Sequence, residues 1–219
     1  MNFIKRLKQA AAKDQNLDWP NLSYYWEKNE DLLSQSKLKE RIVFMGDSIT
    51  EEWGRLYPEF FHHQSYVNRG IGGQTTHQML LRFRQDVVQL HSKKVIILAG
   101  TNDIAGNTGP SSIEMITNNI FSMAEIARKN DIAVIISSIL PVYVYPWALH
   151  IKNVPDTILK TNEQLKEYSE ANNMIYLDYY SSMVDEKRGL KNEYTTDGVH
   201  LNKDGYQVMS SLVEEILNK

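Results

Sequence analysis

Apolar residues along this chain fall into short continuous runs, separated by longer stretches where they recur at three- and four-residue spacing. The runs are RIVFMG (41–46), SYVN (65–68), KVIILAG (94–100), IAVIISSI (132–139) and MIYLDY (174–179). Runs of this length bounded by turn residues read as strands. The third and fourth are apolar at nearly every position, as strands buried on both faces are. Helical spacing covers 50–61, 75–90, 111–130, 156–171 and 203–218, with Pro110-Ser111 and Lys203-Asp204 opening the third and the last. The first forty residues also look helical and amphipathic, broken near Asp18-Trp19-Pro20-Asn21. There is no internal repeat, low-complexity tract or linker.

Strands alternating with helices predict an α/β protein, a three-layer α/β/α sandwich around a parallel sheet. Five strands suit the flavodoxin-like order 2-1-3-4-5, in which ligands sit at the carboxyl ends of strands 1 and 3. At 219 residues the chain reads as one domain, residues 41–219, with a helical segment, 1–40, packed on it.

The order makes a geometric prediction: whatever follows strands 1, 2 and 3 surrounds one crevice. Gly46-Asp47-Ser48 follows the first, Asn68-Arg69-Gly70-Ile71-Gly72-Gly73-Gln74-Thr75 the second, and Gly100-Thr101-Asn102-Asp103 the third. Near the C-terminus, Thr196-Asp197-Gly198-Val199-His200 sets an acid three residues before a histidine. Acyl transfer needs these parts. A serine needs an imidazole to take its proton, the imidazole needs a carboxylate on its other nitrogen, and the oxyanion needs fixed N–H donors. The backbone N–H groups of Ser48 and Gly73 and the Asn102 amide could be those donors. Ser48-Ile49-Thr50-Glu51 also fits a capping box, in which the hydroxyl only starts a helix. Locally, both readings stand.

Charge and composition remove other classes. A formal charge of -3, with Lys and Arg scattered, offers no field for nucleic acid. The absence of cysteine removes disulfides, thiolate metal sites and a cysteine nucleophile together. No apolar run is long enough to span a membrane, and the basic start MNFIKRLKQAAAKDQN lacks the apolar stretch of a signal peptide. The expectation is a cytoplasmic protein.

GDSIT, GIGGQTT, GTND and DGVH, in this order and spacing, resemble the four blocks of the SGNH (GDSL-type) hydrolases, over about residues 41–205. The resemblance implies that Ser48 is the nucleophile and that Gly73 and Asn102 complete the oxyanion hole begun by Ser48. It also implies that His200 is the general base, that Asp197 orients it, and that no metal or organic cofactor is needed. Gln74 departs from the family, whose members often carry an acid there, and is read as part of the pocket wall. No G-x-S-x-G elbow occurs, and the Gly70–Gly73 turn lacks the third glycine of a dinucleotide fingerprint. Asp47 and Asp103 read as turn-stabilising, and His62, His63, His77, His91 and His150 as surface or satisfied histidines.

The aromatic stretch LPVYVYPW (140–147) is a poor helix and a plausible pocket wall. It puts forward Tyr143, Tyr145 and Trp147, with Trp53, as substrate-contacting residues. The reading is a serine esterase that removes short acyl groups, chiefly acetyl, from a carbohydrate or related small-molecule ester. A lysophospholipase or thioesterase is the alternative within the family, and a non-catalytic carbohydrate-binding domain the alternative outside it.

Overall fold

A computed structural model describes residues 18–35, 40–63 and 65–218. The expected leading helix therefore lies outside the described residues up to position 17. Within them, α1 spans Trp26–Ser34. The sheet holds β1 (Ile42–Gly46), β2 (Tyr66–Gly70), β3 (Lys94–Leu98), β4 (Ala133–Ser137) and β5 (Ile175–Leu177). Every pairing is parallel and the order is β2-β1-β3-β4-β5, as the alternation predicts.

Alternate strand residues go to opposite faces, which explains the continuous apolar runs. Val43, Met45, Val95, Ile97, Val134 and Ile136 enter one core, covered by α3 (Thr76–Phe83), α5 (Ile113–Lys129) and α6 (Val154–Ala171). Phe44, Ile96, Leu98 and Ile135 enter the other, against α2 (Ser48–Leu56), α7 (Tyr179–Met183) and α8 (Lys203–Leu217). A single turn, α4 (Thr101–Ile104), follows β3.

Several boundaries differ from the sequence reading, three of them near the site. The helix expected over 50–61 ends at Leu56, because Pro58 cannot continue it and opens a 3₁₀ turn, Pro58–His62. The helix expected over 75–90 turns π-helical at Arg84–Val88. β2 runs two residues further than read, so Arg69 and Gly70 are strand and the turn starts at Ile71.

Glycines set how closely α2 approaches the sheet. Gly46 and Gly70 are register partners at the carboxyl ends of β1 and β2. A Cβ on Gly70 would lie 2.1 Å from the Glu51 nitrogen, and one on Gly46 2.0 Å from Thr50 Oγ1. Only hydrogen atoms at both positions let the first turn of α2 rest on the strand ends. That contact fixes the height of Ser48 above the sheet.

Candidate active site

α2 is capped by Asp47, whose Oδ1 accepts from the Ile49 N–H at 3.0 Å. The capping-box reading of Ser48 is therefore corrected. Ser48 is the first helical residue, and Glu51 turns away to accept from the Gly72 N–H at 2.8 Å. With its local capping role taken by the neighbour, the Ser48 hydroxyl meets His200 Nε2 at 3.1 Å.

His200 lies on a loop that its own acid shapes. Asp197 Oδ1 accepts from the Val199 N–H (2.9 Å) and the His200 N–H (2.7 Å). The other oxygen, Oδ2, meets His200 Nδ1 at 2.7 Å. One carboxylate thus folds the turn and orients the ring, which a spacing of three residues permits. Gly198 at φ +84° supplies the left-handed step. Thr195 Oγ1 donates to the His200 carbonyl at 2.7 Å. Asn202 caps α8 by accepting from the Gly205 N–H, and Tyr206 reaches back to the Ile49 carbonyl at 2.8 Å. Burial alone would raise the Asp197 carboxyl. The three hydrogen bonds from His200 and Val199 outweigh it and hold the group below its ordinary range.

Asp47 behaves oppositely. It is fully buried, and desolvation pushes its carboxyl up to about 7, against the Ile49 hydrogen bond and the charge of His200. A raised carboxyl favours the folded state below its unfolded value and loses that contribution as pH rises through about 7. Asp47→Asn keeps the capping oxygen and removes the charge. Its Tm should therefore rise relative to wild type between about pH 5 and about pH 8. Scanning calorimetry of both proteins checks this, and a constant difference across that range would contradict it.

The turn after β2 and the residues after β3 are joined. Asn102 Nδ2 donates to the Gln74 carbonyl at 3.1 Å, and Asn107 Nδ2 bridges Gly73 O (3.2 Å) and Asn102 Oδ1 (2.9 Å). An amide nitrogen carries two N–H groups, so Asn102 keeps one to give. The Gly73 N–H has no protein acceptor among the described residues, and the Ser48 N–H, at a helix start, has no intrahelical one. Gly73 sits at φ +74°, yet a Cβ there would meet nothing nearer than 3.8 Å. Backbone conformation, rather than crowding, is why glycine stands there. Asp103 accepts from the Thr76 N–H and hydroxyl, the turn-stabilising part expected of it.

The proposed substrate-contacting residues separate. Trp147 is 48% exposed, with its ring 5.8 Å from the His200 ring. Tyr143 is 60% exposed and borders a groove of about 420 Å³ with Asp185, Glu186, Lys187, Asn192 and Asp197. The other three are corrected. Trp53 is 1% exposed, stacked on Phe60 at 4.6 Å, with its Nε1–H on Ser210, so it is core. Tyr145 is buried beneath Trp147, and its hydroxyl meets Thr101 Oγ1. Gln74 is 1% exposed, and its side chain faces Arg82 and Pro20 rather than the crevice.

Residues absent from the sequence reading complete the site. Arg82, fully buried, donates to the carbonyls of Gly46 (3.0 Å) and Arg69 (2.9 Å), tying two strand ends together. Its helical spacing beside Met79 and Phe83 gave no sign of that. Ser48 and His200 open on a cavity of about 360 Å³ with Glu52, Arg55, Leu56, Thr196 and Leu201. A larger cavity, about 560 Å³, lies between α1 and β2 and does not include Ser48.

The sequence matches the GDSL-like Lipase/Acylhydrolase family over residues 44–208. The chain belongs to that family. It is a hydrolase acting on esters, which takes the place of the binding-only alternative. Among solved structures, a GDSL-like lipase from Bacteroides thetaiotaomicron is 42% identical, covering 91% of this chain and 98% of that one, with a TM-score of 0.88. A candidate acylhydrolase from Bacteroides fragilis is 44% identical, covering 91% and 97%, also at 0.88. Platelet-activating factor acetylhydrolase IB subunit alpha1 of Rattus norvegicus is 25% identical, over 84% of this chain and 78% of that protein. An uncharacterised lipoprotein of Bacillus subtilis is 32% identical, but the match spans 47% of this chain and only 49% of that protein. No helix among the described residues is long and apolar enough to cross a membrane.

Proposed function

We propose that this acylhydrolase removes short acyl groups, chiefly acetyl, from a carbohydrate or a related small alcohol, through an acyl-enzyme on Ser48. The observation that carries the proposal is the hydrogen-bonded series Ser48 Oγ, His200, Asp197, set beside a glycine turn and an asparagine amide with N–H groups to spare.

His200 Nε2 takes the Ser48 proton as Oγ attacks the ester carbonyl. Asp197, already accepting from Nδ1, stabilises the imidazolium that forms. The negative charge on the former carbonyl oxygen is met by the N–H groups of Ser48 and Gly73 and the Asn102 amide. Collapse breaks the bond to the alcohol, which leaves with the proton from Nε2. Water then gives its proton to the same nitrogen and attacks the acyl-enzyme; collapse breaks the acyl–Oγ bond, Ser48 Oγ takes the proton back from Nε2, and the carboxylic acid leaves.

The acetyl preference is supported by the modest, partly polar cavity at Ser48, whose walls include Glu52, Arg55 and Thr196. It is also supported by similarity to an acetylhydrolase subunit. For the alcohol, the support is Trp147 standing open beside His200 and Tyr143 beside acidic and amide groups. A hydroxyl-bearing ring could stack on such a surface and hydrogen-bond to it. Val144 and Leu149 are exposed on the same loop, and they favour the lysophospholipase or thioesterase alternative. An ester panel crossing acyl length with sugar and lipid alcohols decides. The expected outcome is a kcat/KM for acetyl esters about tenfold or more above that for eight-carbon esters. The reverse ranking would favour the lipid reading.

A further inference from the structure

We infer that residues 18–34, which precede the family match, brace the oxyanion turn, and that Gln74 is the positioning residue through which they act. The inference rests on the roles proposed above for Ser48, Gly73 and Asn102.

Three glutamine amides, on the turn, on α3 and in the π-helical turn, each donate to one stretch of backbone. Gln74 Nε2 reaches Pro20 O at 2.9 Å, Gln78 Nε2 reaches Trp19 O at 2.9 Å, and Gln85 Nε2 reaches Leu22 O at 2.6 Å. That stretch is folded by Asp18, which accepts from the Leu22 and Ser23 N–H groups. Two tyrosines follow it. Tyr25 donates to the Gly70 carbonyl, and Tyr24 donates to Glu51, whose other oxygen accepts from the Gly72 N–H. The last residue of β2, Gly70, and the turn residues 72 and 74 are thus held, directly or through Glu51, by one segment. Between these ties lies Gly73, with its free N–H.

Gln74 is where the brace and the site meet. Its Oε1 accepts from Arg82 Nε at 2.5 Å while its Nε2 donates to Pro20, so both ends of the amide are used. Its main-chain carbonyl accepts from Asn102 Nδ2. A shift of Gln74 would therefore move two oxyanion donors at once, the adjacent Gly73 N–H and the Asn102 amide. A carboxylate at 74 would keep Arg82 satisfied but face the Pro20 carbonyl acceptor to acceptor, releasing the brace.

A brace and a mere stabiliser differ in kcat. Gln74→Glu, Tyr24→Phe, Gln85→Glu and Ser48→Ala are compared with wild type for kcat, KM and Tm on an ester the wild type hydrolyses. Gln74→Glu should lose about tenfold in kcat with KM nearly unchanged, because a displaced donor is felt in the transition state. Tyr24 is 51% exposed and its loss does not threaten folding; Tyr24→Phe should lose about threefold in kcat. Gln85→Glu frees the Leu22 carbonyl away from the turn, and should lower Tm while kcat stays within about twofold. If Gln74→Glu and Tyr24→Phe both keep kcat within about twofold of wild type, the brace is overturned. Should Gln74→Glu fail to fold, Tyr24→Phe decides alone. An active Ser48→Ala overturns the site reading and the brace with it. An inactive Ser48→Ala beside unimpaired Gln74→Glu and Tyr24→Phe overturns the brace only.

Discussion

Ser48→Ala should abolish ester hydrolysis, lowering kcat by about ten-thousandfold or more, while the protein stays folded. Both halves of the expectation come from the geometry. The hydroxyl is hydrogen-bonded to His200 Nε2, so its removal takes away the proposed attacking atom. The helix start is capped by Asp47, so its removal leaves α2 intact. Had Ser48 been the cap, the same substitution would have cost about 1 kcal/mol of stability and spared the chemistry. Steady-state rates on a 4-nitrophenyl ester and a thermal melt read both halves. An unchanged rate would end the assignment of Ser48, and a large drop in Tm would restore the capping role.

Asn102→Ala should lower kcat by about 100- to 1,000-fold, with a far smaller change in KM. An oxyanion donor acts where charge develops, so its loss is felt in the transition state more than in substrate binding. Asn102 is buried at the start of α4, donates one N–H to the Gln74 carbonyl and accepts from Asn107. The variant therefore also loosens the turn, and Asn107→Ala is the control, since it removes the bridge but no proposed donor. A fall below about threefold for Asn102→Ala would count against the donor role. Equal falls for the two variants would assign the effect to the turn instead.

The alternation of strands and helices and the position of each motif at a strand end follow from short-range pattern, whereas the sheet order was read from the flavodoxin-like arrangement that five strands suit. Strands buried on both faces are apolar at successive positions, as in Val95-Ile96-Ile97-Leu98, whatever helices cover them. Asp197 and His200 were legible as a pair because three residues separate them and one turn holds them. Partner choice among distant residues was not legible in local pattern, and for Ser48 and His200 it came only from the resemblance of the four blocks. Asp47 and Ser48 both suit a helix start, and only His200, 152 residues away, takes the serine for itself. Trp53 and Trp147 are the same residue type, each a short way past a strand end. The packing of Phe60 and Tyr206 buries one, while a loop leaves the other open beside His200. Gln74 was read as pocket wall because its position follows the glycine turn. Arg82 and Pro20 draw its side chain away from the crevice. The sequence by itself determined the layers and which motif follows which strand, because hydrophobic period and turn chemistry are local properties. Tertiary structure decided which side chain each polar group would satisfy, because a buried donor or acceptor takes the nearest partner in space, and that neighbour is set by the whole fold.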